Sequence, residues 1–206
     1  MKSVWEQTGE HRDFAPLKGD ISIDVLIIGG GMAGILCAYL LHGAGVPYVL
    51  TEAETVCGGI TKNTTAKITI QHGLIYDKLL RRFGIGRAGQ YLCAQKAALQ
   101  KYRELCSGMD CDFEEKDAYV YALEEQRKLE QELSAMERLG FHGDFVEHLP
   151  LPFPVAGAVR VHNQAQFHPL KFVCCLAKGL HIYEHTPVRE LIGTTAVTDS
   201  GKVAAK

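Results

Sequence analysis

Ile23-Asp24-Val25-Leu26-Ile27-Ile28-Gly29-Gly30-Gly31-Met32-Ala33-Gly34 is the stretch on which the reading of the whole chain turns. Its first half is a continuous apolar, β-branched run of the kind that forms a central parallel strand buried on both faces. Its second half is a glycine cluster spaced Gly29-x-Gly31-x-x-Gly34, which ends the strand and opens a helix expected from about Met32 to His42. Ile35, Leu36, Ala38, Tyr39 and Leu40 cover most of that helix, so it is expected to pack on the sheet, and Gly43 and Gly45 stop it. Val46-Pro47-Tyr48-Val49-Leu50 reads as a second strand, entered through a proline and ending at Thr51-Glu52. Strand, turn, helix, strand and acid together make a βαβ unit that binds a dinucleotide.

Each position in this unit has a physical job. Gly29 permits the tight turn, Gly31 lets a pyrophosphate approach the backbone, and Gly34 lets the helix pack closely on the strand. Free N–H groups at the helix start and the positive end of the helix dipole are expected to face the phosphates. Glu52, with Ala53 beside it, stands at the end of the second strand, about 20 residues on, where an acid accepts hydrogen bonds from ribose hydroxyls. Its charge disfavours a 2′-phosphate, which points to FAD or NAD rather than NADP. A glycine triplet alone would be a weak signal, since any strand-to-helix turn can need positive φ; the surrounding elements give it force. FAD is favoured over NAD by the segment after Glu52: Cys57-Gly58-Gly59-Ile60-Thr61-Lys62-Asn63-Thr64-Thr65-Ala66-Lys67 is a second small-residue loop, able to bring backbone amides up to a flavin ring.

Further out, helices are expected over about Leu74–Phe83 and Ala88–Cys106, and a strand over Asp117–Leu123. The charged run Glu124–Leu139 carries Leu129, Leu133, Met136 and Leu139 at helical spacing, which makes an amphipathic helix with one buried stripe. Phe145–Leu151 reads as extended, Val155–Val161 as a strand, and Pro169 opens a helix that runs to Gly179. Leu180–His185, Val188–Ile192 and Thr195–Thr198 read as short strands, followed by a Ser200-Gly201 turn. With the family resemblance described below, the expected organisation is a leader over 1–20, the FAD-binding βαβ unit and flavin loop over 21–83, a helical and substrate-domain insertion over 84–154, and an incomplete return to the FAD-binding domain over 155–206.

The 206 residues are 47% hydrophobic and 22% charged, which suits a globular protein with a sizeable core. A formal net charge of −2 gives no pull toward nucleic acid or an anionic membrane. No apolar run approaches the roughly 20 residues needed to span a bilayer, and the polar start MKSVWEQTGEHRDF has no signal-like stretch, so a cytoplasmic location is expected. Seven cysteines without a C-x-x-C pair favour reduced thiols over a disulfide frame, and no metal site is expected.

The residues Asp24 to Gly34, Glu52 and the Gly-Gly loop, together with His168-Pro169, the helix to Gly179 and His185-Thr186-Pro187-Val188, resemble the FAD-dependent oxidoreductases related to D-amino-acid oxidase and glycine oxidase. The stretch Gly59 to Gly73 looks most like a bacterial subgroup that often carries a C-terminal Rieske iron–sulfur domain. The resemblance implies a Rossmann-like, glutathione-reductase-type α/β fold with the start of an α+β substrate domain. It implies pyrophosphate contacts at Gly29, Gly31, Met32, Ala33 and Gly34, and ribose contact at Glu52. It also implies flavin-side contacts near Gly59, Thr64, Thr65, Ala66 and Lys67, mainly through backbone atoms, and adenine contact through the backbone of Val188. Gln71 and His72 come after the flavin loop as candidates to face a substrate, although a lone His is more often a structural hydrogen-bonder; no residue is assigned a catalytic role.

Members of that family are about twice this length, and the Ala-Thr-Gly return strand and the later Gly-Asp segment of their FAD fold have no counterpart here. The chain is therefore expected to be an N-terminal part of an amine or amino-acid oxidoreductase, with an unpaired sheet edge open to self-association or to a complementary chain. Two other readings stand beside it: an NAD-linked dehydrogenase, and a non-catalytic nucleotide-binding subunit completed by another chain.

Overall fold

The computed structural model describes residues 2–9 and 12–206; Met1, Glu10 and His11, which belong to the expected leader, lie outside the described residues. In chain order the elements begin with α1 (Val4–Thr8), β1 (Ile21–Ile23), β2 (Val25–Ile28), α2 (Met32–Gly43) and β3 (Tyr48–Thr51). A single 3-10 turn (Thr61–Asn63) is followed by β4 (Lys67–Ile68), α3 (Tyr76–Cys106), β5 (Glu114–Ala122), α4 (Gln126–Arg138), β6 (Asp144–Val146) and β7 (Gly157–Gln166). The last elements are α5 (Pro169–Leu176), β8 (Ile182–Tyr183), β9 (Val188–Ile192), β10 (Thr195–Thr198) and β11 (Gly201–Ala205). They form two compact units: Met1–Thr65, Met109–Cys111 and His168–Lys206 make the first, Ala66–Gly108 and Asp112–Phe167 the second.

The first unit holds a parallel sheet in the order β2-β3-β8, with Val25 opposite Tyr48, Ile28 opposite Thr51 and Leu50 opposite Ile182. Its central strand is β3, buried at every position. The apolar run of β2 suits the middle of a sheet; it lies at the edge instead, with Val25 and Leu26 half-buried and Ile28 exposed, because among the described residues only β3 pairs with it. The strand run also breaks at Asp24, so that β1 leaves for a second sheet ordered β1-β11-β10-β9. There β1 runs parallel to β11, with Ile21 opposite Val203, and the other pairs are antiparallel. Residues 201–205, of which only the Ser200-Gly201 turn is expected from the sequence, thus form a full strand. Leu17, Val49, Ala196 and Val203 are buried together, with Ile21, Ile23, Leu26, Tyr183 and Val188 packed against them, so one apolar cluster serves both sheets. On α2 only Ile35 and Ala38 are fully buried while Cys37 and Leu40 stay exposed, so one face of this helix is packed rather than most of it. The helix α5 starts as its sequence suggests, with Pro169 in the first turn and His168 Nδ1 accepting the Lys171 N–H at 3.2 Å, and it ends earlier than expected, at Leu176.

The second unit is an antiparallel sheet, β4-β7-β5, with β6 also paired to β7. One face buries Val159 and Val161, and Leu129 and Met136 of α4 are buried in the same unit; the other face leaves Tyr119 and Tyr121 exposed. Both helices expected over 74–106 are present within α3: they meet at Gly84, whose non-helical φ of 74° and ψ of 172° only glycine adopts without strain. β5 starts three residues earlier, and β7 runs five further, than their patterns suggest. The buried Glu132 on α4 accepts the N–H groups of Tyr76 and Asp77, both at 2.9 Å, and so caps the start of α3 with a carboxylate at its positive end.

Candidate cofactor site

The glycine turn sits at the carboxyl end of β2. Gly29 turns at φ 104°, and its N–H donates to the Thr51 carbonyl at 2.8 Å. Gly31 is extended and stands at the N-cap of α2 with no side chain capping the helix; the Met32 N–H donates to Thr61 Oγ1 at 3.2 Å. The space around the three motif glycines differs in the sense their proposed jobs require. A Cβ on Gly34 would lie 2.0 Å from the Gly29 carbonyl oxygen and 3.4 Å from Leu50, so the helix can approach the strand only without a side chain there. A Cβ on Gly31 would meet nothing closer than Thr61 Oγ1 at 3.9 Å, so that position is open. An exposed helix start with a bare backbone is the donor set that a pyrophosphate needs, and the turn fits the group.

Glu52 comes directly after β3. Its Oε2 accepts the Gly30 N–H at 2.6 Å and its Oε1 accepts the Glu54 N–H at 2.9 Å. The carboxylate is thereby fixed beside the glycine turn, and each oxygen keeps a further lone pair for a hydroxyl donor. Ala53 is exposed next to it, and Val188 is half-buried at the start of β9, two residues beyond Thr186, whose N–H donates to the Glu52 carbonyl at 2.8 Å.

The loop after Glu52 returns to the turn. The Cys57 N–H donates to the Gly30 carbonyl at 2.9 Å; burial pushes the Cys57 thiol up to about 11, with Glu52 adding to the rise, which favours the thiol form at neutral pH. Gly59, Thr64 and Thr65 are exposed. The leader holds this loop: the Trp5 indole N–H donates to the Thr64 carbonyl at 2.9 Å, Lys62 pairs with Glu6 at 2.9 Å, and the Trp5 ring meets His168 edge-on at 5.0 Å. Ala66 and Lys67 belong to the second unit, where Ala66 is buried at φ 57° and Lys67 opens β4 opposite Gln166. The first unit therefore gathers the glycine turn, Glu52, Ala53, Gly59, Thr64, Thr65 and Val188, and the other two candidates do not belong to it.

In the second unit, exposed His72 faces Gln95 at 3.3 Å, while Gln71 is buried with neither amide atom partnered among the described residues. Exposed His162 bridges Asp117 at 3.0 Å and Asp144 at 2.7 Å, and Arg160 also binds Asp144 at 2.8 Å. Hydrogen bonds from Asp144 and then Asp117 raise the His162 imidazole above its usual value, against a smaller opposing effect of Arg160. Among the described residues no group of three or more His, Cys, Asp or Glu side chains is placed to hold a metal ion, and no helix is long and apolar enough to cross a membrane. Three residues of the first unit, Thr61, Glu184 and Thr186, hold the site together in a way that the sequence does not announce. Each makes a side-chain bond to a backbone group distant in sequence, and no spacing rule announces such bonds.

The family model described as FAD dependent oxidoreductase, DAO, matches residues 24–206. Over 194 residues the chain is 38% identical to a protein named putative Rieske 2Fe-2S iron-sulfur protein YhfW of Bacillus subtilis (strain 168), covering 90% of this chain and 38% of that one. It is 23% identical over 214 residues to gamma-glutamylputrescine oxidoreductase of Escherichia coli (strain K12), covering 96% of this chain and 50% of the relative. The solved glycine oxidase of Bacillus cereus ATCC 14579 superposes with a TM-score of 0.63 at 22% identity, over 89% of this chain and 53% of the other, which shows a shared fold. The chain thus spans half or less of the length of the curated relatives named here.

Proposed function

The chain belongs to the DAO family of FAD-dependent oxidoreductases, and from that premise we propose that it holds FAD at the Gly29–Gly34 turn within a protein that oxidises an amine or amino acid. The family match decides between FAD and NAD in favour of FAD. The observation that carries the site is the contrast between Gly34, closed against the Gly29 carbonyl, and Gly31, open in front of the helix start.

In this reading Gly29, Gly31, Met32, Ala33 and Gly34 line the pyrophosphate; the Gly29 N–H stays on the Thr51 carbonyl and the Met32 N–H on Thr61 Oγ1, while the helix start supplies its remaining N–H groups and its dipole. Glu52 accepts the ribose hydroxyls, with Ala53 and the backbone of Val188 beside the adenine. Gly59, Thr64 and Thr65 approach the flavin through backbone atoms, and Ala66 and Lys67 extend that loop. What FAD supplies when bound is acceptance of a hydride from the carbon of a C–N bond. The chain's own part is to bind and orient. Two of the relatives carry names that speak of amine or amino-acid chemistry, glycine oxidase and gamma-glutamylputrescine oxidoreductase, and this supports the substrate class.

The test is a visible spectrum of the purified chain after incubation with FAD and desalting, with anaerobic addition of amino acids and amines as the second step. Retained flavin bands, bleached by a member of either class, are expected; a folded chain that retains no flavin overturns the site. The β2 edge, which no strand pairs among the described residues, and exposed Ile28 favour a second element of the reading, that another polypeptide segment completes this sheet. Co-purification of a complementary chain, or of a second copy, checks it.

A further inference from the structure

Glu184 is a carboxylate with no exposed surface, and each of its two oxygens is held by a backbone N–H group. Oε1 accepts the Val56 N–H at 2.5 Å and Oε2 accepts the Phe14 N–H at 2.9 Å. The residue comes directly after β8 at the carboxyl end of the parallel sheet, the same end at which Gly29 and Glu52 stand. Its neighbours continue the stitching. The His185 N–H donates to the Glu54 carbonyl at 3.0 Å, the Thr186 N–H to the Glu52 carbonyl at 2.8 Å, and Thr186 Oγ1 accepts the Leu17 N–H at 3.0 Å.

The loop that begins at Glu52 is thus fastened at residues 52, 54 and 56 to residues 184–186, and at Cys57 to the Gly30 carbonyl. Of these four bonds only the one from Val56 ends on a side chain, and it is charge-assisted. We propose that Glu184 is a positioning residue of the FAD site: its two carboxylate oxygens hold the Val56 end of the ribose loop and the Phe14 end of the leader, so cofactor affinity depends on a group that never touches the cofactor. The proposal rests on the reading of Gly29–Gly34 and Glu52 as the FAD site.

A glutamine at this position keeps size and burial but offers one acceptor for two N–H groups, and its NH2 confronts the other donor. The loop or the leader must then move. Glu184→Asp keeps the charge and both acceptors, with the reach shortened by one methylene.

The experiment measures FAD affinity of the apo chain by flavin fluorescence, at a temperature where circular dichroism shows every variant folded, with the melting temperature recorded separately. Glu184→Gln is expected to raise the FAD Kd about tenfold, the loss of one charge-assisted bond, with Glu184→Asp in between and the exposed Glu190→Gln unchanged. A melting temperature that falls while the Kd stays at the wild-type value would mean a merely structural carboxylate and overturns the proposal. Should Glu184→Gln fail to fold, the Kd of Glu184→Asp decides alone by the same criterion. A wild-type chain that takes up no FAD overturns the site itself and this proposal with it, an outcome distinct from a wild type that binds no better than its variants.

Discussion

Gly34 and Gly29 meet backbone to backbone: a Cβ on residue 34 would lie 2.0 Å from the Gly29 carbonyl oxygen. No side-chain rotation relieves that contact, because both partners are main chain. Gly34→Ala is therefore expected to destabilise the first unit by about 3 kcal/mol, the upper part of the usual range for overpacking. Gly31→Ala puts the same methyl into open space at an ordinary φ of −73°. It is expected to leave the melting temperature nearly unchanged while lowering FAD affinity, and Gly31→Val to abolish binding. Equal effects of the Gly31 and Gly34 substitutions on both readouts would show that the turn has no ligand-facing side.

Glu52 already holds two backbone N–H groups, so its removal acts twice. Glu52→Ala leaves the Gly30 and Glu54 donors to water and removes the proposed ribose acceptor. FAD binding should weaken by about 1.5–3 kcal/mol, the worth of a charged hydrogen bond, alongside a modest fall in melting temperature. A fall in melting temperature with unaltered FAD affinity would make Glu52 a loop clip and move the ribose contact elsewhere.

The βαβ unit was legible because its signals are local and periodic: an apolar run, glycines at fixed offsets and an acid at the next strand end all lie within residues 23–52. The segments near Val25, Val49 and Ile182, which pair as the parallel sheet, were each legible as strands. What was not legible is set by pairing over long separations. β2 reads as a central strand because Val-Leu-Ile-Ile is apolar on both faces, yet its position in the sheet depends on which strands pair with it. Of Gly201–Ala205 only the Ser200-Gly201 turn was legible, and it is pairing with Ile21–Ile23 and Thr195–Thr198 that makes the segment a strand. The buried acids Glu132 and Glu184 were invisible for a related reason: each is satisfied by N–H groups more than fifty residues away.

His162 should behave as a pH-dependent clasp between β5, β6 and β7. Its folded-state imidazole is raised above 6.5, so the stability it gives is fully present below 6.5 and is lost as pH rises through the folded value. Asp144 is held below its usual 3.8, by Arg160 first and then by His162, so its share is present above 3.8 and is lost as pH falls through the lowered value. An NMR titration should give a His162 midpoint above 6.5 that drops in Asp144→Asn and shrinks toward 6.5 in high salt, since the cluster is exposed. A midpoint unmoved by Asp144→Asn would remove Asp144 from the clasp.

Glu132 carries the opposite sign to Asp144. Burial raises its carboxyl above 4.5, outweighing the backbone N–H bonds from Asp77 and Tyr76. The native state then holds its proton more tightly than the unfolded chain, so stability is greatest below 4.5 and declines as pH climbs through the raised value. Glu132→Gln cannot ionise and loses one of two N–H acceptors at every pH. The melting-temperature gap between wild type and Glu132→Gln should therefore move against the wild type as pH rises from below 4.5. Parallel curves would show that the buried carboxylate titrates as it does in the unfolded chain.

Gln71 poses a cost with no visible return within the protein. It is 2% exposed, and neither amide atom has a partner among the described residues, although its neighbours are satisfied: Ile70 donates its N–H to Gln164 and its carbonyl accepts the Tyr76 hydroxyl. Leaving a buried polar group unpaired costs about 1–3 kcal/mol. Gln71→Met keeps the length of the side chain and removes both polar atoms, so the second unit is expected to gain about 1–3 kcal/mol in chemical denaturation. A loss instead would mean that the amide is hydrogen-bonded in solution by a group from outside the chain, and difference spectra on adding amines or amino acids to wild type and Gln71→Met would then tell water from substrate.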